Sequence, residues 1–151
     1  MATVVFLSFG YSNGQPHDTM HNFNLRNLPN PKKEIKSKHT GTHKSLQEDL
    51  FAMPTVQQKF QQLCEESTQY LTDLEAEPNA AEPVKIGFGC FSGKHRSVAI
   101  VERLTQWANE QEVFRNKYTF VAEHRDINVT KQQKSDKKSK RQRKDQTRYV
   151  Q

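Results

Sequence analysis

The apolar and polar positions of this chain divide into short β-type runs and longer helical stripes. Thr3 to Phe9, T-V-V-F-L-S-F, is rich in β-branched and aromatic residues without strict alternation, the pattern of a strand buried on both faces. Gly10, Gly14 and Pro16 end it. From His21 to Arg26, Phe23 and Leu25 alternate with polar residues and predict a second short strand, which Leu28-Pro29-Asn30-Pro31 turns into an extended bend. Lys32 to Lys44 reads as a basic loop around Gly41. Ser45 with Glu48 predicts a capping box opening a short helix through Phe51, interrupted by Pro54. Val56, Phe60, Leu63, Cys64, Tyr70, Leu71 and Leu74 then recur at three- and four-residue spacing, one stripe of a longer helix. A polar connection from Glu77 to Pro83 leads into a third strand, Val84 to Phe88. A further helix begins at Ser97, with Val98, Val101, Leu104, Thr105 and Ala108 inward and Glu102, Arg103 and Glu110 outward. Tyr118 to Ala122 is the last strand, and His124-Arg125-Asp126 follows it.

The order strand, strand, helices, strand, helix, strand predicts an α/β domain, a three-layer sandwich with a mostly parallel sheet. Ligands of such sheets gather at the carboxyl ends of the strands. The loop after Phe9, the turn at Cys90 and the segment at His124 all follow strands, so they are expected to converge at one edge. Strand order is left open by the pattern.

Composition divides the chain in two. The 33% apolar content of its 151 residues is below the roughly 45–50% usual for globular chains, a figure that includes glycine. The shortfall lies at the end: residues 131–151 carry nine Lys/Arg against two Asp, a charge of +7, and only Tyr149 and Val150 are apolar. The first 130 residues hold 14 basic and 15 acidic groups, for −1. A domain over 1–130 and a disordered basic tail over 131–151 are therefore expected. Lys137, Lys138, Lys140, Arg141, Arg143 and Lys144 form the tail's basic centre. They suit RNA phosphate contact, a nuclear-localisation signal, or simple solvation. Two cysteines, no export signal and no apolar run of membrane-spanning length point to a reducing compartment, cytoplasmic or also nuclear through the tail.

Cys90 to Ser97, C-F-S-G-K-H-R-S, joins the third strand to the following helix. Such a turn aims backbone N–H groups and the positive end of a helix dipole at one spot. Arg96 offers a planar fork for two phosphate oxygens, Lys94 a mobile charge, and Gly93 close backbone approach. Three cationic residues at a helix start oppose the dipole unless an anion is present, which favours an anion site over cations merely facing water. The same octet satisfies C-x5-R-S, the signature of cysteine-dependent phosphatases, with Cys90 as nucleophile, Arg96 as anchor, and Asp126 or Asp18 as general acid. The alternative makes Cys90 a small residue ending a buried strand. His124-Arg125-Asp126 lacks the asparagine, glycine loop and D-F-G of a protein kinase; it supplies hydrogen bonds to a ligand or forms a local salt bridge.

Five pieces in order complete the pattern: S-F-G-Y-x-x-G-x-P at Ser8 to Pro16, R-x-L-P-N-P at Arg26 to Pro31, T-G at Thr40, G-C-x-S-G-K-H-R-S-V at Gly89 to Val98, and H-R-D at His124. Together they resemble the C-terminal domain of the RapZ family of RNase adapter proteins, the YvcJ family, over about residues 3 to 127. The resemblance implies a domain similar to a phosphofructokinase sugar-phosphate subdomain, binding an amino-sugar phosphate and, in bacterial members, small regulatory RNA, without catalysis or cofactor. Those bacterial proteins carry a P-loop nucleotide domain ahead of this one; a stand-alone version is expected here, since no G-x-x-x-x-G-K-[ST] occurs. By position, Ser92, Gly93, His95, Arg96 and Ser97 match the family's anion turn, and Ser8, Gly10 and Tyr11 its first loop. Asn24 stands where the family usually has an aspartate, Lys32 where it has an aromatic residue or histidine, and Phe91 where it has a small hydroxylated residue. The expected function is non-catalytic binding of a phosphorylated small molecule, held by Arg96 and Lys94 and oriented by Ser8, Tyr11, Asn24, His95 and His124. Oligomeric state is not addressed by any of these features.

Overall fold

A computed structural model describes residues 1–77 and 82–130. The expectations for the tail, its RNA contacts and its localisation signal lie outside the described residues, as does part of the 77–83 connection. Four strands, β1 (Ala2–Gly10), β2 (His21–Asn24), β3 (Val84–Cys90) and β4 (Tyr118–His124), form one sheet in the order β2-β3-β1-β4. Every pairing is parallel, with Gly10 opposite Cys90, Ser8 opposite His124 and Asn24 opposite Gly89.

That order fixes where the connections run. The steps from β2 to β3 and from β3 to β4 move the same way along the sheet, so right-handed crossovers bring their helices to one face. These are α1 (Lys33–Lys38), α2 (Lys44–Phe51), α3 (Pro54–Glu75) and α4 (Arg96–Glu110), and α3 and α4 touch. The step from β1 to β2 moves the other way, and the connection after Gly10 runs over the opposite face as a thin third layer. There Tyr11, in a 3-10 turn, packs edge-on against Phe9 with ring centroids 4.9 Å apart. Gly87 and Gly89 keep β3 flat beneath them; a side chain at Gly89 would meet the Phe9 and Tyr11 rings at about 2.5 Å.

The main core lies on the helix side. Val4 and Phe6 of β1, Ile86 and Phe88 of β3, and Phe120 of β4 pack against Leu63 and Leu71 of α3 and Ile100 and Leu104 of α4, all essentially fully buried. Phe6 packs between Phe88, edge-on at 5.5 Å, and Phe120, tilted at 5.3 Å. Removing such a side chain from water contributes about 1.5–3 kcal/mol, which explains why the apolar stripes dictate the faces.

Local chemistry sets the helix ends, in three places differently from the sequence reading. Pro54 cannot give an N–H to the preceding turn, so α2 stops at Phe51 and α3 starts on the proline. The capping box at Ser45 does not form: α2 begins at Lys44, and His43 Nδ1 caps it by accepting the Ser45 N–H. The stretch read as a basic loop contains α1. α4 begins at Arg96, one residue before Ser97.

Candidate anion-binding site

The sheet contains one place where adjacent strands send their connections to opposite faces: β1 leaves toward the thin layer and β3 toward α4. A crevice opens outside the carboxyl ends at such a switch point. The expected convergence is found there. Ser12 N–H donates to the Phe91 carbonyl at 3.0 Å, Arg125 N–H to the Ser8 carbonyl at 3.0 Å, and Gly10 N–H to Asp126 Oδ2 at 2.7 Å.

Two glycines allow the loops to meet. A Cβ on Gly10 would lie 2.3 Å from the Ser92 carbonyl carbon. Gly93 has φ of +78°, the left-handed region, and a Cβ there would lie 2.5 Å from the Gly10 nitrogen. Beside this junction Gly41 donates its N–H to the Lys94 carbonyl at 2.8 Å.

In front of the turn is a cleft of about 520 Å³. Cys90, Phe91, Ser92, Lys94, His95 and Arg96 form one wall, with Arg26, Asn30 and Lys36 opposite. Four of these side chains are Lys or Arg and none is acidic, so the cleft carries uncompensated positive charge. At the N-terminus of α4 the first-turn amides also lack carbonyls within the helix, as at any helix start. A groove of similar volume, about 580 Å³, lies between α3 and α4 over Phe60, Cys64 and Trp107. Its single charged lining residue is Glu65, so charge rather than size singles out the cleft at the strand ends.

The predicted residues divide into those at the cleft and those behind it. Arg96 reaches the cleft, yet it is only 8% exposed and its Nη1 donates to the carbonyls of Arg26 at 3.0 Å and Leu28 at 2.8 Å. It thus ties the loop after β2 to the start of α4. Tyr11 and Asn24 do not line the cleft; they hold Arg26, which does. The Arg26 guanidinium lies 3.9 Å above the Tyr11 ring, and its Nε donates to Asn24 Oδ1 at 3.1 Å. Arg26, Asn30 and Lys36 line the cleft without having been expected there from the sequence, although Arg26 heads the R-x-L-P-N-P segment.

Ser8 and His124 lie elsewhere. Ser8 Oγ is 2.7 Å from His124 Nδ1, and His124 Nε2 is 2.8 Å from Glu102 Oε1 on α4. With Ser8 fully buried, this hydrogen-bonded chain braces α4 against β1 and β4, and none of its members lines the cleft. Of the two readings of the His124 segment, the local one matches its geometry: Arg125 holds both oxygens of Asp126, at 3.0 and 2.9 Å.

For catalysis by Cys90 the arrangement is unfavourable. Cys90 is 1% exposed, and its thiol donates to Ser97 Oγ at 3.1 Å and accepts the Gly93 N–H at 3.3 Å. Asp126 is buried with its carboxylate occupied by Gly10 and Arg125. Asp18 is bonded to Lys85 at 2.8 Å, near the start of β3 and about 16 Å of strand away from Cys90. That ammonium group holds the Asp18 carboxyl below its ordinary pKa, the wrong direction for a general acid near neutral pH. Neither carboxylate is placed to protonate a leaving group in the cleft.

The model of the RapZ C-terminal domain matches residues 2–128. A nucleotide-binding protein of Synechococcus sp. (strain JA-3-3Ab) is 40% identical over 101 residues, 66% of this chain and 30% of that protein. Another of that name, from Shewanella frigidimarina (strain NCIMB 400), is 32% identical over 128 residues, 84% and 42% of the respective chains. This chain thus spans less than half the length of the curated relatives it matches. With the match running from β1 through β4, the chain belongs to the RapZ C-terminal domain family.

Proposed function

We propose that the cleft at the switch point binds a phosphorylated small molecule and does so without catalysis. The observation that carries this reading is the lining itself: Arg26, Lys36, Lys94 and Arg96 with no carboxylate, at the start of α4. Four cations gathered without counter-charge repel one another, and an anion relieves that repulsion while accepting hydrogen bonds from first-turn amides. Arg26 is the chief phosphate ligand. Tyr11 and Asn24 pre-orient it, and its exposed guanidinium suits a two-pronged grip on phosphate. Arg96 shapes the wall and adds charge from within it.

A cysteine phosphatase has less support, because Cys90 is enclosed and neither candidate acid lines the cleft. Isothermal titration of the full chain with glucose 6-phosphate, ribose 5-phosphate and inorganic phosphate tests binding. Heat is expected for the sugar phosphates, with affinity reduced about tenfold to a hundredfold in Arg26→Ala. Absence of heat for every phosphorylated compound overturns the proposal.

A further inference from the structure

The groove between α3 and α4 matches the cationic cleft in size and is its opposite in chemistry. Phe60, Cys64 and Trp107 line a space of about 580 Å³, and Phe60 and Trp107 are only partly covered by the core they pack on. Glu65 stands on its wall. Gln69 separates this groove from a smaller hollow of about 380 Å³ beside β2, which holds Tyr70, Glu66 and Asp73. No Lys or Arg lines either space. Glu65, Glu66 and Asp73 form no ion pair among the described residues. The outer side of α3 thus sets uncompensated negative charge along an apolar groove.

We infer that this groove docks a basic amphipathic helix of a partner protein, with its apolar stripe on Phe60, Cys64 and Trp107 and its Lys or Arg side chains against Glu65 and its acidic neighbours on α3. The length of the groove suits a helix. From Phe60 to Thr68 α3 rises about 12 Å, and a docked helix with apolar anchors at i, i+3, i+4 and i+7 spans about 10.5 Å between the first and the last. Charge complementarity selects the partner: cations flanking the stripe meet the carboxylates, whereas an acidic helix sets like charges together. The groove lies on the helix side of the sheet and shares no lining residue with the cleft at the strand ends, so this docking does not depend on phosphate binding.

Trp107 is the chain's single tryptophan, so its emission reports on the groove directly. The test titrates the full chain with the peptide acetyl-L-K-K-L-L-K-K-L-K-K-L-amide and with its counterpart carrying Glu at every Lys. The basic peptide is expected to move Trp107 emission to shorter wavelength in a saturable manner and to bind at least about tenfold tighter than the acidic one. Glu65→Lys should lower that affinity at least about fivefold. Glu34→Lys on α1, an equal change in net charge away from the groove, leaves it unaltered, and circular dichroism checks that both variants are folded. Absence of a saturable shift, equal affinity for the two peptides, or equal losses in the two variants overturns the inference. So does a Trp107 shift on dilution of the chain without peptide, which would place a second copy in the groove.

Discussion

Arg96 and Leu28, far apart in the chain, are joined by a 2.8 Å hydrogen bond from the guanidinium Nη1 to the carbonyl oxygen. With the bond to the Arg26 carbonyl, it makes Arg96 a structural clamp as well as part of the cleft wall. The Arg26 side chain, by contrast, is exposed and meets only the half-buried Tyr11 ring and the exposed Asn24.

The two arginines should therefore respond differently to truncation. Arg96→Ala strips two loop carbonyls of a charged donor and is expected to lower unfolding free energy by at least about 1.5–3 kcal/mol. Arg26→Ala should change it by less than about 0.5 kcal/mol. Urea unfolding monitored by circular dichroism measures both, and equal stability losses would contradict the division of labour.

Sugar selectivity should be weak. No carboxylate lines the cleft, and Asn24 Oδ1 is occupied by the N–H and Nε of Arg26 at 2.9 and 3.1 Å. Glucosamine 6-phosphate and glucose 6-phosphate are expected to bind within about threefold of each other, less than one charge-assisted hydrogen bond would produce. A tenfold calorimetric preference for the amino sugar would refute this. Tyr11→Leu, which removes the ring beneath Arg26, should weaken both by about two- to fivefold.

The glycine junction should tolerate no side chain. Gly10→Ala forces a Cβ to 2.3 Å from Ser92 backbone, and Gly93→Ala adds a positive φ to a 2.5 Å approach. Each is expected to destabilise by about 1–3 kcal/mol or more and to weaken phosphate binding, because the turn must shift. Normal stability in either variant would show that the two loops are not in this contact.

Cys64 and Cys90 should both resist alkylation in the native chain at pH 7.5. Cys64 is 9% exposed and burial pushes its thiol up to about 11, while Cys90 is 1% exposed. Because the folded thiol titrates above its ordinary value of about 8.5, its contribution to stability is complete below that pH and is lost as pH rises toward 11. The stability gap between the native chain and Cys64→Ala should therefore narrow from pH 8 to pH 11. Iodoacetamide labelling read by mass spectrometry checks the first point and denaturant titration at each pH the second; a widening gap would reverse the sign.

Much of the fold was legible in order of residues alone. The runs at Thr3, Val84 and Tyr118 and the stripe from Val56 to Leu74 became strands and a helix because burial of apolar side chains is a local demand repeated at a local period. The C-F-S-G-K-H-R-S turn was legible for a similar reason: strand, glycine and helix start are adjacent in the chain. α1 was not, since Lys33–Lys38 has Ile35 as its one apolar residue and no periodicity to reveal it. The cap of α2 was not either: α2 begins at Lys44, one residue before Ser45, and His43 takes the cap.

By itself, the sequence determined the composition of each element and the cationic turn at Cys90. Tertiary structure alone decided that β1 and β3 are neighbours whose connections diverge, opening the crevice between them. It also decided which residues face that crevice. Ser8 and His124, matched by position to a ligand site, pair with Glu102 of α4 away from the cleft lining, whereas Arg26 and Lys36 come forward from β2's loop and α1. The physical reason is that a side chain's direction at a strand end depends on the pleat and on what packs against it. Here Tyr11, Asn24 and Arg96, drawn from three separate segments, set the position of a single guanidinium and of the loop that bears it.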